Sequence, residues 1–261
     1  MIGVAGCGRM GGPMLDALRA AGFEAQGYDV APTAYRHVTD VIPTFKNTVE
    51  TLITVVRDIP QTEEVLFGTQ GFAAAPNLRR IIICSTLSPP WVRALRDRIP
   101  SHIALIDAPM SGARIAAEEA RLSFMLGGEK ADLDAAQPLF AAMGKHFHNM
   151  GKFGSAMQAK VLNNLLAASH TAMTRLVLDW AESAGLDRDR LLALIATSSG
   201  QNWFASGFET IEFARDGFAP DNTIGILVKD VACALDAAPE GADLTLPETV
   251  QKQLLGLKTL V

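Results

Sequence analysis

Cysteine is scarce in this chain, and its three copies are scattered. Cys7, Cys84 and Cys233 form no C-x-x-C pair, and an odd, dispersed set provides neither a disulfide framework nor a zinc site. His146 and His148 alternate on a predicted strand, but two ligands without a third make a weak metal site. We therefore expect no metal and a reducing compartment, the cytoplasm.

Long apolar runs and an excess of positive charge are missing as well. The longest apolar stretches fall far short of the roughly 20 residues that a membrane span needs, so we expect no membrane partner. Residues 1–6 place no basic segment ahead of an apolar one, so we expect no secretory signal. With 23 Lys and Arg against 28 Asp and Glu, the net charge is −5, which argues against nucleic acid as a partner.

Hydrophobic residues are abundant. They make up 49% of the 261 residues, enough for one large or two small cores. In the first half of the chain, segments with the spacing typical of strands alternate with segments that have the spacing typical of helices. Short β-branched runs alternate with helical stretches at 12–21, 60–67 and 89–99, which predicts a mainly parallel sheet. The predicted strands are Ile2–Ala5, Phe23–Val30, Leu52–Val56, Arg80–Cys84, Ile103–Asp107 and Leu122–Leu126.

The second part of the chain is helical almost throughout. From Phe153 onward the apolar spacing predicts helices at 156–184, 187–198, 221–238 and 247–257. The expected architecture is therefore an α/β domain at residues 1–150, followed by an all-α domain at residues 151–261.

The segment that joins the first strand to the first helix reads Gly6-Cys7-Gly8-Arg9-Met10-Gly11. In such a loop the first glycine permits a tight turn, the second lets the backbone approach a pyrophosphate, and the third allows close helix–strand packing. The helix N-terminus adds N–H donors for the phosphates. Asp29 ends the second strand, where a carboxylate binds the ribose of NAD. We predict a Rossmann-type dinucleotide-binding domain; the alternative is a glycine-rich turn without a ligand.

The nearest arginine after Asp29 bears on the choice of dinucleotide. A 2′-phosphate needs a cation close to the end of the second strand, and the residues directly after Asp29 include none. Arg36 is the nearest candidate, so we predict NAD as the preferred cofactor over NADP.

A second motif reads Asp107-Ala108-Pro109-Met110-Ser111-Gly112. Because proline ends a strand, Ser111 and Gly112 are expected near the carboxyl edge of the sheet, where open α/β sheets bind ligands. A hydroxyl and an unobstructed backbone N–H suit a carboxylate. Taken alone, however, the segment is a turn.

A third motif places Lys160 and Asn164 four residues apart, on one face of a predicted helix. A lysine that faces an apolar interior is costly unless it has a function, and desolvation can lower a lysine's pKa enough for proton exchange near neutrality. The alternative is a solvated surface charge, and this stretch leaves both open.

Together and in this order, these segments resemble the β-hydroxyacid dehydrogenase family, that of 3-hydroxyisobutyrate dehydrogenase and tartronate semialdehyde reductase. The resemblance extends over nearly the whole chain. The matching segments are residues 6–14, 84–89, 107–112, 151–164, 186–200 and 229–230.

The resemblance implies roles for individual residues. Lys160 would be the general acid/base, with Asn164 orienting the substrate oxygen, while Ser111 and Gly112 hold the carboxylate. Lys229 would reach both cofactor and substrate. The implied cofactor contacts are Gly6, Gly8, Arg9, Met10, Gly11, Asp29, Val56, Arg57, Thr86 and Lys229.

The chain departs from the family pattern after Gly112. Ala113, Ala116 and Ala120 stand where family members usually carry glycine, and each narrows the allowed backbone angles. Arg114 places a permanent cation beside the implied carboxylate site. It either binds an anionic substrate group or lies on the surface.

These observations predict an NAD-dependent oxidoreductase that acts on a small 3-hydroxy acid or reduces the matching semialdehyde. The resemblance further implies a helical domain that closes the site and mediates assembly into a homodimer or homotetramer. Two alternatives stay open. One is an imine reductase-like enzyme, although that class usually lacks the lysine; the other is a catalytically silent binding protein.

Overall fold

The structure is a computed structural model that describes residues 1–260. Within these residues the strands are β1 (Ile2–Ala5), β2 (Ala25–Tyr28), β3 (Val38–Thr39), β4 (Thr51–Thr54), β5 (Arg80–Ile83), β6 (Ala104–Asp107), β7 (Met110–Ser111), β8 (Leu122–Gly127) and β9 (Gly144–Gly151). The α-helices are α1 (Gly11–Ala20), α2 (Ile42–Thr48), α3 (Ile59–Leu66), α4 (Pro89–Arg98), α5 (Ala113–Glu118), α6 (Lys130–Met143), α7 (Ser155–Ser183), α8 (Arg188–Ala196), α9 (Trp203–Ser206), α10 (Thr223–Asp236) and α11 (Thr245–Leu255).

The strands form one sheet in the order β3-β2-β1-β4-β5-β6-β8-β7, with β9 paired to β8. From β3 to β6 all neighbours are parallel, whereas β8 runs antiparallel to β6 and β7. This order reverses direction between β1 and β4, and such a switch point opens a crevice at the carboxyl ends of the strands. The predicted Rossmann-type domain is thereby confirmed.

Two apolar layers cover the sheet, one on each face. Helices α1 and α6 cover one face, with Leu15 and Phe140 in its core. Helices α2, α3 and α4 cover the other, where Phe45 and Leu95 are fully buried. Strand β4 is buried along its whole length, as expected for a strand between two helical layers.

The chain divides into two compact units, Met1–Lys160 and the residues from Val161 onward. The second unit is helical in the described part of the chain, so the expected fold class is confirmed. The first unit includes the beginning of α7, which the sequence pattern assigned to the helical domain. Within this unit, Asp107 accepts two N–H groups from the start of α7.

The predicted strands and helices lie within a few residues of those in the structure, whereas helices α2, α5 and α6 and strands β3 and β7 are elements that the sequence pattern did not predict. The strand predicted at Phe23–Val30 pairs only over Ala25–Tyr28, because the N–H of Phe23 bonds back to the carbonyl of Leu18 in α1. Asp187 caps α8 by accepting the N–H of Arg190 at 2.9 Å. None of the helices in residues 1–260 has the length and apolarity needed to cross a lipid bilayer.

Candidate active site

The glycine-rich loop has the backbone that its sequence predicts. Gly6 has φ +91°, which favours glycine, and a side chain on Gly11 would overlap the carbonyl oxygen of Gly6. By contrast, no heavy atom lies within 4 Å of where a Cβ of Gly8 would stand. The loop therefore packs tightly at its two ends and leaves open space at its middle. That space and the N-terminus of α1 fit the pyrophosphate of a dinucleotide.

The carboxylate of Asp29 is hydrogen-bonded to this loop. Its Oδ2 accepts the N–H of Cys7 at 2.7 Å, and its Oδ1 accepts the N–H of Ala31 at 2.9 Å. A carboxylate oxygen has a second lone pair, so both oxygens can still accept ribose hydroxyls. Burial and the nearby Asp29 charge raise the pKa of the Cys7 thiol to about 12, so that thiol stays protonated at neutral pH.

Tyr35 packs against the start of α1, next to the glycine loop. A side chain on Gly12 would overlap the ring of Tyr35. Arg36 lines a surface pocket with Asp16 and Arg19 of α1. The sequence signal for Tyr35 was weak, because an aromatic residue in a long loop has no periodic partner.

The loop after β4 meets the glycine loop at the carboxyl edge of the sheet. A side chain on Gly6 would lie 2.9 Å from Cγ1 of Val56, in the loop after β4. Next to it, the N–H of Arg57 donates to Oε1 of Gln61 at 3.0 Å. Thr86 follows β5 and is half-buried. The structure thus brings Val56 and the glycine loop together.

Lys160 and Ser111 are in direct contact. The Nζ of Lys160 donates to Oγ of Ser111 at 3.1 Å, and Lys160 is only 7% exposed. Ser111 lies in β7 opposite Ser123 of β8, and Gly112 follows it with φ +134°. The alternative of a solvated Lys160 is therefore wrong.

In the helical unit, Asn164 lies in a second polar cluster. Its Nδ2 donates to Oδ2 of Asp230 at 2.5 Å, and the other carboxylate oxygen of Asp230 lies 2.8 Å from Nζ of Lys229. Asn164 and Asp230 are buried. Asn164 is one turn after Lys160 on the same helix, α7.

Asp230 is the functional candidate that the sequence reasoning missed, since it appeared there only as a landmark. Its signal was nevertheless present in the spacing. On α10 it shares a buried face with Leu227 and Ala234, three residues before and four after it. A carboxylate on an otherwise apolar helix face needs a buried polar partner.

Two of the alanines that stand where family members usually carry glycine, Ala113 at the start of α5 and Ala120 after its end, have left-handed backbone. Ala113 and Ala120 have φ values of 55° and 49°, in the left-handed region that disfavours side chains. Arg114 pairs with Glu118 at 2.7 Å and lines a groove of about 940 Å³ together with Arg9. The structure thus places Arg114 in an exposed ion pair on the wall of a groove that Arg9 also lines.

The remaining histidine motif forms no cluster. His146 and His148 are exposed on β9. Among residues 1–260, no three His, Cys, Asp or Glu side chains come together in a way that could hold a metal ion.

Comparison with known proteins matches both parts of the chain to family models. Residues 1–153 match the model described as the NAD binding domain of 6-phosphogluconate dehydrogenase. Residues 154–257 match the model described as NAD-binding of NADP-dependent 3-hydroxyisobutyrate dehydrogenase.

Individual relatives cover most of the chain. A probable 3-hydroxyisobutyrate dehydrogenase of Mycobacterium bovis is 31% identical, over 92% of this chain and 86% of the relative. L-threonate dehydrogenase of Cupriavidus necator is 29% identical, over 91% of this chain and 83% of the relative. A solved 3-hydroxyisobutyrate dehydrogenase of Mycobacterium tuberculosis with L-serine is 26% identical, with TM-score 0.80, over 98% of this chain and 95% of that one.

Proposed function

The chain belongs to the β-hydroxyacid dehydrogenase family, and we propose that Lys160 is the general acid/base of its reaction. That reaction is hydride transfer between a nicotinamide dinucleotide and a small hydroxy acid. One observation carries the assignment of Lys160: the residue is buried, and its Nζ lies 3.1 Å from Oγ of Ser111.

Proton transfer is the chemistry that the side chains contribute. Oxidation of a hydroxyl releases a proton as the hydride leaves, so a base is needed at that oxygen. The dinucleotide, when bound, accepts the hydride in oxidation and supplies it in reduction. The amine of Lys160 takes the hydroxyl proton in oxidation, and its ammonium returns the proton in reduction. Ser111 and Gly112 contact the substrate carboxylate beside it.

Asn164 is our candidate for orienting the substrate oxygen. Its amide has two N–H groups, one of which Asp230 accepts. The other is the donor that we assign to the substrate oxygen. Asp230 in this view fixes the rotation of the amide, and the ion pair with Lys229 balances its buried charge.

NAD is the dinucleotide that we propose as preferred. Asp29 accepts ribose hydroxyls but repels a 2′-phosphate by like charge. Arg36, the nearest arginine in sequence, lies with Asp16 and Arg19 in a surface pocket on α1.

The substrate that we propose is a small 3-hydroxy acid, since the relatives are named for acids of this size. Turnover of 3-hydroxyisobutyrate, L-threonate and L-serine with NAD or NADP, followed by the absorbance of the reduced cofactor, tests this directly. We expect turnover of at least one acid and a higher kcat/KM with NAD. Reduction of cyclic imines alone would favour an imine reductase, and NADH binding without any turnover would favour a silent binding protein.

We also propose that the chain assembles with copies of itself through α7. Leu162, Leu166, Met173 and Trp180 are between 52% and 68% exposed. Their spacing of four, seven and seven residues keeps them on one helix face, as in helix–helix seams. This face, the α7 stripe, lies opposite Lys160.

The area of the α7 stripe is large enough for a dimer. Its four side chains expose on the order of 500 Å², at the upper end of the largest apolar patch on a typical monomer, and such patches are often functional. Two copies would together bury about 1,000 Å², close to the lower limit for a specific interface. A symmetric dimer through this stripe is therefore the assembly that we expect.

The compartment that we propose is a reducing one such as the cytoplasm. All three cysteines are free thiols, and two of them, Cys7 and Cys84, are buried.

A further inference from the structure

Asp107 is a fully buried carboxylate at the end of β6, and it binds the start of α7. Its Oδ1 accepts the N–H of Gly154 at 2.8 Å, and its Oδ2 accepts the N–H of Met157 at 2.7 Å. Both bonds require the oxygens as acceptors, which the ionised form provides. A negative charge at this end also complements the dipole of a helix 29 residues long.

The space around this carboxylate is shaped to hold it in one position. A side chain on Gly127 of β8 would overlap Oδ1 of Asp107 and would approach the N–H of Ala156 to 3.0 Å. Burial raises the pKa of Asp107, while the N–H groups of Gly154 and Met157 oppose that rise. Burial of this charge is unfavourable, and the surrounding backbone leaves the carboxylate little room to move.

Two chain segments that lead from Asp107 end at the same hydrogen bond. The loop that follows it reaches Ser111, whose strand β7 is held by pairing with Ser123 of β8. The helix that it binds reaches Lys160 three residues after Met157. Nζ of Lys160 and Oγ of Ser111 then meet at 3.1 Å. One carboxylate thus fixes the helix on which the lysine stands to the strand end from which the serine loop starts.

We propose that Asp107 is a positioning residue for Lys160, because its carboxylate sets how far and at what rotation the first turns of α7 approach the serine loop. The proposal rests on the proposed role of Lys160 in proton transfer. It assigns Asp107 no contact with the substrate or the dinucleotide. A displacement of about 1 Å at a reacting group can cost about 10²-fold in rate, so this control of position matters for catalysis.

The alternative is that Asp107 only caps a helix. A cap stabilises the fold and leaves the properties of each folded molecule unchanged. A positioning residue instead alters Lys160 in molecules that are fully folded. The two roles are therefore separated by measurements normalised to the folded, NADH-binding fraction.

The test compares Asp107→Asn with Asp187→Asn in the full chain. The amide keeps the shape of the carboxylate but offers only one acceptor oxygen, so it loses one N–H partner in α7. Asp187 also caps a helix, α8, but lies in the helical unit far along the chain. Folded fraction is measured by NADH binding, and kcat is expressed per binding site.

We expect Asp107→Asn to bind NADH as the unsubstituted chain does and to lose at least about tenfold in kcat. Asp187→Asn should lower the melting temperature without changing kcat. If Asp107→Asn lowers only the melting temperature, or if its NADH affinity falls together with kcat, the positioning role is overturned.

A second readout does not depend on turnover. Competitive labelling of lysine amines, quantified by mass spectrometry, compares Lys160 with the exposed Lys130 in the same sample. In Asp107→Asn the labelling of Lys160 relative to Lys130 should rise about fivefold, because the loss of one hydrogen bond changes an equilibrium by about this factor. An unchanged ratio contradicts the proposal. Absence of turnover in the unsubstituted chain, by contrast, contradicts the proposed function and leaves this readout intact.

Gly127→Ala gives an independent variant that keeps the carboxylate. Its added methyl group displaces Oδ1 of Asp107 without removing any charge. We expect the same loss of kcat and the same rise in Lys160 labelling. If Asp107→Asn does not fold, Gly127→Ala alone tests the proposal. Unchanged kcat and unchanged Lys160 labelling in Gly127→Ala would then overturn it.

Discussion

Individual side chains in this protein act through the groups that surround them. Lys160 illustrates this at the residue scale, since an exposed lysine would be an ordinary surface charge. Its burial removes most of its contact with water, and Ser111 gives its amine a defined position. Both conditions are needed for a lysine to serve as a base near neutral pH.

Substitution of Lys160 should therefore remove catalysis and leave binding intact. We expect Lys160→Ala to lose at least about 10²-fold in kcat, the usual contribution of general acid–base catalysis. Lys160→Arg should fail nearly as badly, because a guanidinium keeps its proton near neutral pH. Steady-state kinetics and NADH titration measure both effects, and Lys152→Ala, at an exposed lysine before α7, is the control. Full activity of Lys160→Arg would show that the proton travels elsewhere.

Asp29 should control the choice of dinucleotide. Asp29→Ser removes the charge that repels a 2′-phosphate, and it also removes the acceptors for the N–H groups of Cys7 and Ala31. We expect the ratio of kcat/KM for NAD to that for NADP to fall by about 10- to 100-fold, as for the loss of a charged hydrogen bond. Asp40→Ser, at an exposed carboxylate, should leave the ratio unchanged. A retained NAD preference in Asp29→Ser would contradict the assignment.

Replacing Ala120 with glycine should make the protein more stable. Its φ of 49° is a left-handed conformation that costs a residue with a Cβ about 1 kcal/mol. We expect Ala120→Gly to raise the free energy of unfolding by about 0.5–1 kcal/mol in urea denaturation. Ala141→Gly in helix α6 has ordinary helical backbone and should lower it by about 1 kcal/mol. If Ala120→Gly and Ala141→Gly destabilise the protein equally, the backbone at Ala120 is not strained.

At the scale of whole elements, one buried arginine joins α7 to the end of the described chain. Arg175 is 1% exposed, and its guanidinium donates to the carbonyls of Ala214 at 2.9 Å, Asp216 at 2.8 Å and Lys258. The segment after α11 also pairs with the backbone of Phe218, whose N–H donates to Leu257 at 2.9 Å. Arg175 thus anchors three segments of the helical unit.

Removal of this anchor should loosen the end of the chain. Arg175→Met fills much of the same volume but leaves three carbonyls without their donor, which costs about 2–4 kcal/mol in unfolding free energy. Cleavage near Lys258 by limited proteolysis should rise in parallel. Arg188→Met, at a partly exposed arginine, is the control and should change stability little. Normal protease resistance of Arg175→Met would show that the apolar contacts of α11 hold the segment alone.

At the scale of the whole molecule, the α7 stripe predicts the assembly. Sedimentation velocity should find the unsubstituted chain as a dimer or a multiple of it. Leu166→Glu combined with Met173→Glu places charges in the apolar seam and should yield monomers. Leu246→Glu changes an equally exposed leucine on α11 and should leave the assembly intact. A monomeric unsubstituted chain at micromolar concentration would refute the interface.

The sequence by itself determined the architecture and much of the candidate site. Strand and helix periods, the glycine loop and Asp29 are local patterns, and each depends on residues within a few positions of one another. The close approach of Gly11 to Gly6 followed directly, because both residues belong to the same turn. The approach of Gly6 to Val55, in the loop after β4, is a contact that only the fold provides.

Only the tertiary structure decided which polar groups meet. Asp107 binds the start of α7 at Gly154, and Asn164 binds Asp230, across gaps in sequence that no local pattern spans. The environment of Lys160 was equally undecided, because a segment with one lysine among leucines is compatible with either face. Burial depends on which elements pack together, and that is a property of the folded chain.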